Sequence, residues 1–160
     1  MELNTRGRYA VMAMADLARS CADAETGSVP LSAIAERQMI SLAYLEQLFA
    51  RLRRAELVDS VRGRSGGYRL SRPAVTITVA DVMAAVAETT EMTRCGIEAG
   101  EPCLAGKRCL THGLWDALGD HIDQFLANVT LQQVIDGRIS RAPLPVAAPE
   151  VIFSGGLVTR

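Results

Sequence analysis

Aromatic residues, long apolar runs and lysine are all scarce in this chain. Aromatics make up 4% of its 160 residues and apolar residues 49%, so the hydrophobic core must rest on Leu, Val, Ile, Met and Ala. No run of about 18 apolar residues occurs, so we expect no membrane-spanning helix. The first residues, MELNTRGRYAVMAMADLARSC, carry charge too early and lack an apolar block, so they do not resemble a signal peptide. We therefore expect a cytoplasmic protein.

The sequence also lacks the motifs of redox and nucleophilic enzymes. It has four cysteines but no CxxC pair, no second cluster motif and no recognisable pairing of a nucleophile with a general base. We therefore predict that the protein is not an enzyme; the alternative of this class is an electron carrier or a thiol redox protein. Since the cytosol keeps thiols reduced, four cysteines there suggest metal or redox chemistry before disulfides.

Lysine is nearly absent, and arginine carries the positive charge. Only Lys107 is a lysine among 17 basic residues, and the net charge of −1 hides a cluster of seven arginines in residues 51–72 against Glu56 and Asp59. A localised basic segment on a nearly neutral chain can attract phosphates. The guanidinium fork suits bidentate contacts to phosphate or guanine better than an ammonium does.

Apolar periodicity and turn residues predict a mainly α fold with one small β-hairpin. Helices are predicted over residues 5–20, 31–37, 42–55, 77–88 and 111–128, the third capped by Ser41 and the fourth by Thr78. Strands over 57–61 and 68–70 flank the glycine-rich turn RGRSGG. A short helix, a tight turn, a second helix and a hairpin form a winged helix-turn-helix, whose second helix enters the major groove.

This order predicts a DNA surface on the second helix and on the hairpin. The predicted DNA-binding residues are Ser41, Tyr44, Glu46, Gln47, Arg51, Arg62 and Arg64. Gln47 can pair with adenine, and Glu46 can accept from cytosine N4 while repelling phosphate. Arg51 suits backbone contacts, and Arg62 and Arg64 at the hairpin tip can enter a minor groove or clamp phosphates. The alternative is an ordinary amphipathic surface helix beside a common glycine-rich hairpin.

Several possible metal ligands lie in one segment that has few apolar residues for a hydrophobic core. This segment is residues 93–115, TRCGIEAGEPCLAGKRCLTHGLW. Cys95, Cys103 and Cys109 are spaced C-x7-C-x5-C, and His112 follows three residues later. Such a set can hold zinc or an iron–sulfur cluster. Gaps of seven and five, without a CxxC or CxxxxC knuckle, favour a site with two or four irons. Unligated thiols beside a helix-start histidine are the alternative.

The long helix that follows carries one continuous apolar stripe. The residues of this stripe are Leu114, Leu118, Ile122, Phe125 and Val129. His121 on the same helix is expected to be a surface or interface residue. Cys21 ends an apolar helix, where a small, partly buried hydrophobe is the default. We therefore expect neither Cys21 nor His121 to be a metal ligand.

Three segments together resemble the family of IscR, the iron–sulfur cluster regulator. They are RGRYAVMAM near the start, ISLAYLEQLFARLRRAELVDSVRGRSGGYRL across the helix-turn-helix and hairpin, and CLTHGLW at the long helix. The similarity covers residues 1 to about 136. It implies a dimeric winged-helix transcription factor of bacteria that controls genes for cluster assembly, with cluster-assembly scaffold proteins as candidate cluster donors.

The resemblance also implies a cofactor, a [2Fe-2S] cluster bound by Cys95, Cys103, Cys109 and His112. The first cysteine gap is seven residues, whereas the IscR pattern has five. A gap of seven resembles related iron-responsive regulators that carry a [4Fe-4S] cluster, which is the alternative. A winged-helix regulator with a structural zinc site is a further alternative.

The same resemblance implies a homodimer built on the long helix, in agreement with its apolar stripe. It places Ser41, Tyr44, Glu46 and Gln47 on the recognition face and Arg62 in the wing, while Ala43 stands where the family has a second serine. We divide the chain into a winged helix-turn-helix domain (1–77), a connecting helix with the cluster loop (78–110), a dimerisation helix (111–137) and a flexible tail (138–160).

Overall fold

The computed structural model describes residues 5–23, 27–63, 66–87 and 109–140. Its elements are α1 (Thr5–Asp23), α2 (Leu31–Gln38), α3 (Leu42–Arg54), β1 (Val58–Val61), β2 (Gly67–Leu70), a 3-10 turn (Ala74–Thr76), α4 (Val79–Ala85), α5 (His112–Asn128) and α6 (Leu131–Asp136). The prediction of a mainly α fold with a β-hairpin wing and a long C-terminal helix is confirmed. Within these ranges no helix is long and apolar enough to cross a membrane.

The main core lies between α1 and α3. Small and unbranched side chains of α1 face it, with Ala10, Ala13 and Met14 fully buried. Alanines let a neighbouring helix approach closely, which suits a core with few aromatics. The largest buried side chain is Phe49 of α3, whose ring meets the ring of Tyr68 edge to face with centroids 5.0 Å apart. This contact packs the hairpin against the second helix of the helix-turn-helix.

The turn between α2 and α3 is fixed by its two helix ends. Met39 ends α2 in the left-handed region at φ 53°, and its N–H donates to the carbonyls of Ala35 and Glu36. Ser41 then caps α3 as predicted, because its Oγ accepts from the N–H of Tyr44 at 3.3 Å. The predicted helix bounds differ by one residue in α2, which includes Gln38, and in α3, which ends at Arg54. They differ by two or three residues in α1, which extends to Asp23, and in α4, which spans Val79–Ala85.

A buried carboxylate joins α1 to the helix-turn-helix. Asp16 of α1 is 3% exposed, and its Oδ1 accepts from Arg37 Nη2 at 2.8 Å and from Ser20 Oγ at 2.9 Å. Its Oδ2 accepts from Gln38 Nε2 at 2.6 Å. Burial raises the pKa of Asp16, but the hydrogen bonds from Arg37, Gln38 and Ser20 outweigh it and leave that pKa below its ordinary value. The last turn of α2 is thereby fixed to α1.

The hairpin is also attached to the segment that precedes α2. β1 and β2 pair antiparallel, with Val58 opposite Leu70 and Val61 opposite Gly67. On its other side β2 exchanges two backbone hydrogen bonds of 2.8 Å between Tyr68 and Val29. A Cβ on Gly67 would overlap the backbone of Val29 and Pro30. Glycine is therefore required at this crossing for the backbones to approach.

The C-terminal elements return to the winged helix domain. The N–H of Val79 donates to the carbonyl of Val129 at 2.8 Å, and the N–H of Leu131 donates to the carbonyl of Ile77 at 2.9 Å. Leu131, at the start of α6, is fully buried in the main core. The residues LQQVID therefore form a helix that packs on α1 and on the 3-10 turn, and the end of α5 is held beside the start of α4.

Candidate DNA surface and candidate metal site

The second helix of the helix-turn-helix, α3, presents a polar outer face. Its inner face buries Leu45, Leu48 and Leu52, while Glu46, Gln47 and Arg51 are exposed. An exposed amide and carboxylate near the start of such a helix are the groups that can read base edges in a major groove. The stripe predicted from Leu42 onward is less regular than expected, since Leu42 itself is 42% exposed.

Tyr44 is held by a neighbour on α1. Its ring meets the ring of Tyr9 edge to face with centroids 6.1 Å apart, and the side chain is partly buried. The Arg8 guanidinium in turn lies 5.7 Å from the centre of the Tyr9 ring. The start of α1 therefore adjoins the start of α3. Sequence patterns did not predict the contact between Tyr9 and Tyr44, because it joins two helices that are distant in the chain.

The arginines of residues 51–72 are not all available for phosphate. Arg69 lies 3.5 Å from Asp59 across the hairpin, and Arg72 lies 2.9 Å from Asp81. Arg51 and Arg62 are exposed and form no ion pair within the described ranges. Arg64 falls outside those ranges. The positive field of this surface thus comes from fewer side chains than the seven that the sequence contains.

Two donors of the predicted metal site lie within the described residues, at the start of α5. The N–H of His112 donates to the carbonyl of Cys109 at 3.1 Å, so the two residues are one helical turn apart. Cys109 is partly buried with Sγ 3.7 Å from Thr111 Oγ1. His112 is buried, 8% exposed, and its Nε2 lies 2.9 Å from Asp116 Oδ2. Cys95 and Cys103 lie outside the described residues.

This half of the donor set fits an iron–sulfur cluster. A thiol and an imidazole at adjacent turns of one chain segment are ligand types that such clusters and zinc sites share. Metal-bound histidines commonly have a carboxylate hydrogen-bonded to the ring nitrogen that does not bind the metal, and the buried imidazole of His112 has such a carboxylate on one nitrogen. Sequence reasoning did not single out Asp116, although its four-residue spacing from His112 on a predicted helix was a usable signal.

The apolar stripe of α5 is largely uncovered within the protomer. Leu114 is 61% exposed and Phe125 is 37% exposed, with Leu118 and Ile122 half-buried between them. Val129 differs, because it is 7% exposed and packs with Val79 and Met83. It lies beyond the last helical residue, where its carbonyl is fixed by α4, so it belongs to the core of its own protomer.

A sequence model of the Rrf2 family, described as iron-dependent transcriptional regulators, matches residues 3–137. The chain belongs to the Rrf2 family. IscR, an HTH-type transcriptional regulator of Enterobacter sp. strain 638, is 50% identical over 138 residues, which are 86% of this chain and 82% of that protein. A helix-turn-helix-type transcriptional regulator of Neisseria meningitidis serogroup A is 52% identical over 136 residues, 85% of this chain and 88% of that protein.

The solved structure of T. potens IscR resembles this Rrf2 chain with a TM-score of 0.68 at 34% identity, covering 86% of this chain and 88% of that one. These relatives are transcriptional regulators, and so is this chain; it is not an enzyme. As a winged-helix regulator of the Rrf2 family it binds DNA.

The remaining cysteine and histidine of the described ranges lie away from the Cys109–His112 pair. Cys21 is partly buried in the main core, with Sγ 3.7 Å from the carbonyl of Tyr68. Burial raises the pKa of the Cys21 thiol, which disfavours the thiolate that a metal would need. His121 is exposed on α5.

Proposed function

We propose that this Rrf2 protein is an iron–sulfur cluster-sensing transcription regulator, similar to IscR, that controls cluster-assembly genes according to cluster occupancy. The observation that carries the proposal is the pairing of Cys109 with a buried His112 at the start of α5, in a chain half identical to regulators named IscR.

The proposed ligands are Cys95, Cys103, Cys109 and His112, and the proposed cofactor is a [2Fe-2S] cluster. The fraction of protein that holds the cluster would depend on the supply of iron and on the presence of oxidants, and this dependence is what the cluster provides for sensing. The seven-residue gap between Cys95 and Cys103 keeps a [4Fe-4S] cluster as the alternative. Histidine is a weaker ligand than thiolate, so a Cys3His set suits a cluster that is readily lost.

The fold offers a route from this site to the DNA surface. The segment that carries Cys95 and Cys103 is attached to α4 at one end and to α5 at the other. The Arg6 guanidinium of α1 donates to the carbonyl of Val86 at 3.4 Å, just before that segment, and Asp16 of α1 holds the last turn of α2. Binding or loss of a cluster in this segment would therefore act on α1 and α2, which pack against the recognition helix α3. It can do so only if the cluster stabilises one arrangement of these helices more than another.

We further propose a homodimer in which the α5 helices of two chains pack through Leu114, Leu118, Ile122 and Phe125. A two-fold axis beside α5 would set the separation of two recognition helices, and operator half-sites must match that separation. On each half-site Ser41, Tyr44, Glu46 and Gln47 form the recognition face. Arg51 and the hairpin residues Arg62 and Arg64 contact the DNA backbone or minor groove.

In this proposal the domains keep the boundaries predicted from sequence, with residues 1–77 reading DNA, 78–110 holding the cluster and 111–137 forming the dimer. The protein works in the cytoplasm, where assembly scaffold proteins are the donors of its cluster. The tail from residue 138 has no part in the proposed mechanism, and its residues 141–160 lie outside the described ranges.

Anaerobic purification of the full chain tests the cofactor. We expect a red-brown protein with stoichiometric iron and acid-labile sulfide, and we expect Cys109→Ala and His112→Ala to lose most of both. Cys21→Ala is the matched control and should retain them. Two irons per chain support the [2Fe-2S] form and four support the alternative. A colourless protein that contains zinc and no sulfide contradicts cluster sensing and favours a structural zinc site.

A further inference from the structure

His112 has a partner outside the proposed ligand set. Its Nε2 lies 2.9 Å from Oδ2 of Asp116, one turn further along α5. The histidine side chain is 10% exposed, whereas that of Asp116 is 50% exposed. A carboxylate at the protein surface thus meets one defined nitrogen of a buried ring. Because the buried ring has little room to turn, Asp116 contacts one particular ring nitrogen, whereas two exposed side chains could change partners freely.

The chemistry of imidazole gives this contact a consequence. A neutral ring carries its proton on one nitrogen and a lone pair on the other, and a metal takes the lone pair. Metal-bound histidines commonly donate the remaining N–H to a carboxylate, which fixes the tautomer and the ring orientation and makes the ligand a stronger donor. Asp116 is placed to accept from Nε2–H of His112.

We propose that Asp116 is a positioning residue of the cluster site, which holds the proton on Nε2 so that Nδ1 is the nitrogen of His112 that binds iron. This inference rests on the proposed function. It assigns no contact between Asp116 and the cluster itself. Asp116 acts through His112, by selecting one of its two nitrogens and by strengthening the donation from the other.

The geometry of α5 separates this role from dimerisation. At about 100° per residue, His112 and Asp116 lie on the side of the helix roughly opposite Leu114 and Phe125. Asp120 lies on the same side as Asp116, is exposed, and forms no ion pair among the described residues. Asp120→Asn therefore makes the same chemical change as Asp116→Asn on the same helix, without the contact to His112.

The test uses the full-length protein, with and without reconstituted cluster, at one fixed pH. In the cluster-free protein, ¹⁵N NMR should show His112 with its proton on Nε2. In the reconstituted protein, Asp116→Asn should speed cluster loss to a chelator about tenfold. The same substitution should raise the reduction potential, because a weaker donor stabilises the oxidised cluster less. Asp116→Glu should recover part of both effects, and Asp120→Asn should match the wild type.

The outcomes separate this inference from the function on which it rests. A wild-type protein that takes up no cluster overturns both. If the wild type takes up a cluster, and Asp116→Asn and Asp116→Glu have the same cluster lifetime and reduction potential as the wild type, the role of Asp116 is overturned and cluster sensing is left intact. A proton on Nδ1 in the cluster-free wild type also contradicts it. Far-ultraviolet circular dichroism checks that each variant is folded, and the NMR result on the wild type needs no variant.

Discussion

Met39 carries a large side chain in a backbone conformation that favours glycine. Its φ is 53° and its side chain is 93% exposed, so no packing offsets the strain. The left-handed conformation costs a residue with a Cβ about 1–2 kcal/mol, and glycine avoids this cost. Part of the gain is lost, because glycine makes the unfolded chain more flexible and so raises the entropy that folding must overcome. We predict that Met39→Gly raises the free energy of unfolding by up to about 1 kcal/mol in a urea titration. Met39→Ala keeps the Cβ and should change it little; a less stable glycine variant would contradict the strain.

Gly67 shows the opposite case, in which a glycine is required by its neighbours. A Cβ there would overlap the backbone of Val29 and Pro30, where no side chain can move aside. We predict that Gly67→Ala lowers the free energy of unfolding by about 1–3 kcal/mol. Gly119→Ala is the matched control, because a Cβ at this position of α5 meets nothing within 4 Å, and it should be neutral or stabilising. Equal effects of the two substitutions on the urea midpoint would refute the close approach.

At the scale of elements, the Asp16 network ties α1 to α2 in a pH-dependent way. Because the folded pKa of Asp16 lies below its ordinary value, its contribution is fully present above the unfolded pKa and is lost as pH falls through the folded pKa. We predict that Asp16→Asn destabilises the protein by about 1–3 kcal/mol at pH 7. The difference from wild type should begin to shrink as pH falls below about 4, the ordinary pKa of an aspartate, and should be lost as pH falls through the lower folded pKa, below which both proteins carry neutral groups. Urea titrations at pH 7 and below pH 4 measure it; a constant difference would contradict the linkage.

Sequence predicted most elements but not how they meet. Ser41 and Thr78 mark helix starts by local chemistry that any window of sequence contains, and both caps were predicted and are present. Val129 continued the stripe of α5 by spacing, yet it packs with Val79 because α4 returns there. The Asp16 network likewise joins positions 21 and 22 residues apart. The candidate donors were visible as a motif, and the four-residue spacing of Asp116 from His112 was a local signal that sequence reasoning did not use.

At the scale of the whole molecule, the uncovered face of α5 should hold two chains together. We predict that Leu118→Asp converts the dimer to a monomer in analytical ultracentrifugation, because a carboxylate would be buried without a partner. Ala127→Asp places the same charge on the opposite side of α5, where the side chain is exposed, and should leave the dimer intact. A dimer that survives Leu118→Asp and also a second change, Phe125→Asp, would place the interface elsewhere.

The central claim is that cluster occupancy changes DNA binding, and a gel shift tests it most directly. The full-length protein would be titrated onto its own cluster-assembly promoter, once with cluster and once without, with iron quantified in each sample and salt held constant. We predict different affinities for at least one site, with Gln47→Ala and Arg62→Ala weakening binding in the better-binding form. The same affinity for every promoter site with and without cluster would contradict the account.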